Sequence, residues 1–453
     1  ATWLLDVGDR PDAPLAATAA REALWWHDVE RAKTLAAIAV EDDASVDHLF
    51  MAGEIARLTG DVDDALRWWR DALELAETDA DLGRVAMAMS QVHAWFRNEP
   101  DRAVEVLNSA AERMAEPVNR LECWSEAALF ASLLGRYDAV VDAAQSVIDH
   151  PEATNEARWT ALSNVTWAEA QLLQLGRADE RFELAAQLRD DLGPARAGEV
   201  DLVDAVLVST RMEQGRFDEG HEHVLAVDAA HRPLGATLFS HAQIHLVRAH
   251  TDAAIRTARR SMAEVEAYDP FNTSPLSASV ATVCLAAGGR VDEAAQVLAG
   301  ARATTSDADG VWESIWFARA DSWIAHVEGR ADDARDACAT SIRRAQETGH
   351  DGWAQLSFVD ALLFGVIGTA ELADIVDTAR ARRPPQQGAA YVDALTDGAC
   401  ALVDGDLEAL DHALGDLSKL GARWPAAVLL ARSSKIATSA VDAHRRATTA
   451  QIL

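Results

Sequence analysis

The sequence predicts an all-α protein, a superhelical array of about eleven or twelve antiparallel helix hairpins forming an α-solenoid. Three observations carry that expectation. A short phrase recurs along the 453 residues: GRYDAV at Gly135, GRADER at Gly176, GRFDEG at Gly215, GRVDEA at Gly289 and GRADDA at Gly329. Looser copies are HDVERA at His27, GDVDDA at Gly60, NEPDRA at Asn98, AHTDAA at Ala249, GTAELA at Gly368 and GDLEAL at Gly405. Successive copies lie 33, 38, 37, 41, 39, 34, 40, 40, 39 and 37 residues apart, a period near 38 that marks a repeat. Between copies the apolar residues fall at i, i+3, i+4 and i+7, and no stretch alternates as a strand would. Finally, the chain is 49% hydrophobic yet longer than one ordinary core supports. An array resolves this, because its core grows along one axis.

The phrase itself reads as a helix–turn–helix corner. Its Gly ends one helix in a left-handed conformation. The Asp three residues on is expected to cap the next helix, and the Ala that follows lets two helices cross closely. After the Gly60 turn, Leu66, Trp69, Ala72 and Leu73 share one helical face. Three proline-bearing segments interrupt the pattern and read as longer loops: 192–199 (LGPARAGE), 268–276 (YDPFNTSPL) and 380–388 (RARRPPQQG). The second carries Tyr268 and Phe271 and either lips a groove or, like the other two, is a plain spacer. The end of the chain, 415–453, turns basic, with Lys419, Arg423, Arg432, Lys435, Arg445 and Arg446 against Asp416 and Asp442. That shift suits a junction to a further domain or an intramolecular contact.

Composition excludes several function classes. A net charge of −32 argues against direct nucleic-acid binding by this surface, since phosphate contacts need clustered Lys and Arg. The four cysteines, Cys123, Cys284, Cys338 and Cys400, have no CxxC spacing and fit a reducing compartment. No signal peptide and no membrane span is visible, so a cytoplasmic setting is expected. The compositional oddity is 14 Trp against 3 Tyr.

The stretch from Leu49 through Gly53, Gly60, Asp61, Ala65, Trp69 and Ala72 closely resembles one tetratricopeptide repeat, whose signature small and aromatic positions these residues match. The longer, Ala-, Leu- and Arg-rich form of the other copies is similar to the helical arm of large LuxR-type bacterial regulators, the MalT-like group. The opening TWLLDVGD…AREALWWHDVERA and the close ALGDLSKLGARWPAAVLLARSSKIA are similar to where that arm begins and ends. The resemblance implies a non-catalytic sensor and interaction region, covering 1–453 as one superhelix. It would bind an effector or partner and control an attached ATPase and a DNA-binding module following the basic end. The sequence has no GxxxxGK[ST] phosphate loop of its own. A self-contained tetratricopeptide scaffold for protein peptides is the alternative, and an α/α-barrel enzyme the remote one. Oligomeric state is not legible.

Transferring the tetratricopeptide register places Trp316, Arg319, Trp323 and His326 on the inner groove at the Gly329 copy, Trp95 at the Asn98 copy and Phe239 at the Ala249 copy. This mostly apolar surface is what a small effector or an extended peptide would want. Aromatics at helical spacing are also what packing between hairpins requires. Two acidic runs imitate terpenoid-cyclase motifs: Asp61-Val62-Asp63-Asp64 (DxDD) and Asp332-Asp333-Ala334-Arg335-Asp336 (DDxxD). Both coincide with the repeat's own turn and read as capping and solvated acids, so no catalytic residue is assigned. Six of the fourteen histidines crowd 221–250, with His241 and His245 at i, i+4. No HExxH accompanies them, and His221 and His223 point to different helix faces. Buried, hydrogen-bonded histidines are the expectation, with no metal and no cofactor.

Overall fold

The computed structural model describes residues 9–26, 28–172, 174–189, 192, 197–230, 232, 234–267, 269, 273–305, 310–364, 389–437 and 439–452. The His27 and Gly368 markers, His231, Tyr268, Phe271 and the 380–388 loop lie outside them. Every regular element among the described residues is helical. The chain divides into two compact units, one comprising Ala1–Leu133 with Ser146–Ala157, the other Leu134–Gln145 with Arg158–Leu453.

The first unit contains α1 (Ala13–Trp25), α2 (Val29–Asp42), α3 (Val46–Leu58), α4 (Val62–Leu75), α5 (Asp79–Gln91), α6 (Pro100–Arg113) and α7 (Pro117–Leu133). Sequential helices pack as hairpins around an Ala-rich core. The tetratricopeptide-like copy shows why its signature residues are needed. Trp69 is fully buried and its indole Nε1 donates to the Phe50 carbonyl at 3.2 Å. A Cβ on Gly53 would fall inside that indole, so only glycine lets α3 and α4 approach this closely. A π-helical turn, Val92–Phe96, extends α5 and carries Trp95.

The helices α8 (Tyr137–Ile148) and α9 (Asn155–Gln171) span the division. The second unit continues with α10 (Leu175–Leu188), α11 (Ala197–Glu213), α12 (Phe217–Ala229), α13 (Gly235–Val247), α14 (Thr251–Ala267), α15 (Ser274–Ala287), α16 (Val291–Thr304), α17 (Val311–Val327), α18 (Ala331–Glu347) and α19 (Asp351–Phe364). It closes with α20 (Ala390–Asp404), α21 (Leu407–Leu420), α22 (Arg423–Ser433) and α23 (Ala440–Ile452). Helices α11, α13, α15, α17 and α19 lie side by side as an inner layer, each paired with its hairpin partner outside. On the inner side α20 packs on α11 and α22 on α13 and α19. The inner layer is therefore covered from both directions. Of α15, 12 of 14 residues are buried, and its sequence is apolar all round rather than striped.

The turns follow the phrase in backbone but not in side-chain chemistry. Gly60, Gly135, Gly215, Gly289, Gly329 and Gly405 all have positive φ, and Asn98 and Ala249 take the same left-handed conformation without being glycine. The Gly176 copy differs: Gly176 lies inside α10, and Gln174 occupies the place that Arg216 holds after Gly215. The N–H of Gln174 bonds to the Glu169 carbonyl at 2.8 Å as that of Arg216 does to Arg211 at 2.8 Å. The expected Asp caps are a correction. At the Gly215, Gly289 and Gly329 turns the residue before the helix is Arg216, Arg290 or Arg330, with no side-chain cap, and the Asp sits in the first helical turn. There it favours the positive end of the helix dipole instead of accepting a cap bond. Where the phrase does cap, it is by the residue after the marker, as Asp406 accepts from the N–H groups of Glu408 (3.1 Å) and Ala409 (3.0 Å); other caps come from elsewhere in the repeat. Asp201 on α11 accepts from the N–H groups of Ala236 (2.8 Å) and Thr237 (2.9 Å) at the start of α13. Asp79 does the same for Ala115 and Glu116 before α7.

Candidate functional site

The inner layer of the second unit brings four of the sequence-derived residues together. Trp316 and Arg319 lie one turn apart on α17, with Trp323 two turns from Trp316, and Phe239 faces them from α13. All four are buried, at 2%, 6%, 2% and 8% exposure, because α20 and α22 close over the face that the register leaves open to a groove and Trp167 and Gln171 of α9 line it. Two recesses remain. One, a small cavity of about 50 Å³, lies between Trp167, Gln171, Glu213, Phe239, Trp316 and Trp353. The other, about 40 Å³, is lined by Glu213, Gln243, Arg319, Trp323, Asp360 and Trp424. Met212, Glu213, Gln243 and Leu356 border both.

The walls are aromatic and ordered against one another. Trp167 stacks on Trp312 with ring centroids 5.7 Å apart and meets Trp353 edge-on at 6.0 Å. Trp316 meets Trp353 edge-on at 5.6 Å, and Trp323 stacks on Trp424 at 6.3 Å. The polar groups divide into satisfied and unsatisfied sets. Arg319 is consumed: its Nε donates to Asp360 Oδ2 at 2.6 Å, an Nη to Gln243 Oε1 at 2.9 Å, and the guanidinium lies over the Trp316 ring. By contrast, among the described residues the indole N–H groups of Trp167, Trp316, Trp323 and Trp424 find no acceptor, nor does Gln171 Oε1 find a donor. Glu213 is 9% exposed and has no hydrogen-bond or charged partner among the described residues. Burial alone pushes its carboxyl up to about 8.

Sequence reasoning missed Glu213, Trp167, Trp353 and Trp424. Glu213 ends α11 in an unremarkable MEQG phrase, and only the fold shows that its turn points inward. The other sequence-derived residues lie elsewhere. Trp95 belongs to the first unit, where it is 8% exposed and packs edge-on against Phe130. His326 is exposed at the end of α17, its ring stacked 4.2 Å from Phe364.

No family model and no curated protein matches the chain. Solved structures do. A Rap protein complexed with competence and sporulation factor is 13% identical, with a TM-score of 0.47 over 79% of this chain and 98% of that one. Yeast Tom70 is 13% identical, with a TM-score of 0.32 over 97% and 95%. The Cut9 and Hcn1 hetero-tetramer of the anaphase-promoting complex gives 11%, 0.40 and coverage of 95% on both sides. By its own element order and packing, the chain is an array of helix hairpins.

The acidic runs sit on exposed turns of that array. Asp61 pairs with Lys33, Asp63 with Arg97, and Asp64 with Arg67 at 3.1 Å. Asp332 pairs with Arg335 at 2.9 Å and Asp333 with Arg330. At the basic end, Arg446 is turned inward to Asp411 (2.7 Å) and Asp442 (2.9 Å), and Lys419 pairs with Asp416 at 2.8 Å. No helix is long and apolar enough to cross a membrane among the described residues.

Proposed function

We propose that the chain is a non-catalytic sensing region, and that its effector is a small, largely apolar amine received in the recesses of the second unit. The observation that carries this is Glu213, a buried carboxyl without a partner among the described residues, set among indole rings. A cationic ligand would ionise it, sit against π-faces and gain a charge-assisted hydrogen bond in a poorly solvated site. The unsatisfied indole N–H groups favour a ligand that also carries a hydrogen-bond acceptor. The burial of Trp316, Trp323 and Phe239 leaves no open track there for an extended peptide, and a ligand larger than a few atoms enters only as these side chains move apart.

The recesses hold two acids, yet Asp360 is engaged by Arg319, which supports binding over paired-carboxylate chemistry. In the wider reading, the array is the arm of a LuxR-type regulator, and effector binding shifts it between two arrangements that an attached ATPase and DNA reader sense. That reading rests on the two end segments quoted above and requires different affinity for the two arrangements. A phosphate loop encoded upstream in the same reading frame, and a helix-turn-helix downstream, would support it.

The test of the binding site is a thermal-shift screen pairing each amine with its neutral isostere. Stabilisation by amines, lost in Glu213→Gln, is expected. Equal stabilisation by the isosteres, or an unchanged response in Glu213→Gln, overturns the assignment.

A further inference from the structure

The histidine-rich segment carries a feature that the sensing reading does not use. His221 projects from α12, while His241 and His245, one turn apart, project from α13. The ring centroids are 5.0 Å apart for His221 and His241, 5.9 Å for His221 and His245, and 4.3 Å for His241 and His245. One nitrogen from each ring lies within 4.8 Å of the other two. His223, two residues from His221, faces away and is held by Asp204 at 2.8 Å. The three rings are not accounted for as an ordinary hydrogen-bonded cluster. A single bond of 2.8 Å joins His221 Nδ1 and His241 Nε2, and the His245 ring nitrogens have no hydrogen-bond partner among the described residues.

We infer that His221, His241 and His245 form a three-histidine site for a borderline divalent cation of the zinc class. Tetrahedral zinc with bonds of about 2.0–2.1 Å needs ligand nitrogens roughly 3.3 Å apart, so small side-chain rotations of half-buried His221 and His245 complete the geometry. The i, i+4 pair fixes two ligands on one rigid helix, and the third arrives from the preceding hairpin. All three donors are imidazole, a set that suits zinc, copper, nickel or cobalt and discriminates against calcium and magnesium. Among the described residues no carboxylate joins the cluster. The charged neighbours are Arg248 and Arg256, with His250 beyond, and Arg248 is itself paired with Asp218 at 2.6 Å. Their positive charge favours an anion, hydroxide or chloride, as the fourth ligand. The bound ion would clasp α12 to α13 and so fix the angle between consecutive hairpins.

The experiment uses the whole chain, stripped with a chelator and dialysed. Zinc chloride is titrated in competition with a chromophoric chelator, and Co2+ is added separately to read coordination from its visible absorption. One equivalent of zinc, bound with submicromolar affinity, and an intense four-coordinate Co2+ spectrum are expected. His221→Gln and His245→Gln, at half-buried positions that tolerate substitution, should each weaken uptake by at least about 100-fold. His412→Gln is the control, with a side chain 83% exposed on α21, and should bind as the parent does. Substoichiometric uptake, a six-coordinate cobalt spectrum, or equal uptake in the His221→Gln and His245→Gln variants would overturn the site. The cobalt spectrum of the parent chain needs no variant, so a misfolded substitution leaves the question decidable.

Discussion

At the scale of single residues, the structure separates side chains that look alike in sequence. Glu213 and Glu219 are six positions apart, yet Glu219 is held in a surface pair by Arg216 while Glu213 is buried with no partner among the described residues. This has a definite pH consequence. The Glu213 carboxyl titrates near 4.5 when unfolded and at about 8 when folded. The folded state therefore holds the proton more tightly. Its contribution is full below the unfolded value and is lost as pH rises through about 8, amounting to about 3–5 kcal/mol by then. Glu213→Gln should melt well above the parent at pH 8.5 and close to it at pH 4.5; parallel melting curves across that range would contradict the assignment. Glycines separate in the same way. Gly135 and Gly405 share a left-handed φ, 66° and 70°. Open space surrounds Gly405, whereas a Cβ on Gly135 would fall on the Thr348 carbonyl, opposite Gly349, which is itself left-handed. Gly405→Ala should cost about 1 kcal/mol, from conformation alone. Gly135→Ala should cost several times more, since two backbones must part, and denaturant unfolding compares them directly.

At the scale of elements, the period is visible in atoms as well as letters. Ser261 donates to the Gly235 carbonyl (2.7 Å) and shares a bond with Ser277 (2.7 Å). Ser341 repeats this with Ile315 (2.8 Å) and Ser357 (2.7 Å), and all three partners are displaced by 80 residues. Two repeats of 40 thus superpose down to their hydroxyl groups. The turn phrase predicts the corners because a left-handed residue is a local backbone requirement. It misassigns the capping, because a cap depends on which carboxylate the neighbouring repeat delivers. Asp201 serves α13 from 35 residues away. Asp201→Ala strands two buried N–H groups of that helix and should destabilise the chain by about 2–4 kcal/mol. Asp218→Ala, an exposed first-turn acid of the phrase, should change stability by under about 1 kcal/mol, and equilibrium unfolding of the two variants measures the difference.

At the scale of the whole molecule, the interior of the second unit is decided by closure. Arg319 on α17 joins Asp360 on α19 to Gln243 on α13, a link spanning 76 residues of sequence. The pair is almost wholly buried, with side chains 7% and 3% exposed. Arg319→Met leaves the Asp360 carboxylate uncompensated and should cost about 3–5 kcal/mol in chemical denaturation. Adding Asp360→Leu to that variant should recover most of the loss, because an apolar pair no longer buries a lone charge. Failure of the double variant to recover would mean that the ion pair is needed for the shape of the recesses and not merely tolerated.

The sequence by itself determined the helical class, the period and most of the corners. These follow from local rules: spacing of apolar residues, and glycine where the backbone turns left-handed. It also marked Trp316, Arg319, Trp323 and Phe239 as inward residues, since register alone fixes which face a helical side chain takes. Only the tertiary structure decided what that face meets. Helices α20 and α22, more than 60 residues beyond α17, cover it and turn an open groove into recesses around Glu213. Likewise His221 joins His241 and His245 only because α12 and α13 pack at a particular angle. Both outcomes depend on contacts between distant segments, and no local pattern of residues encodes the angle at which successive hairpins stack.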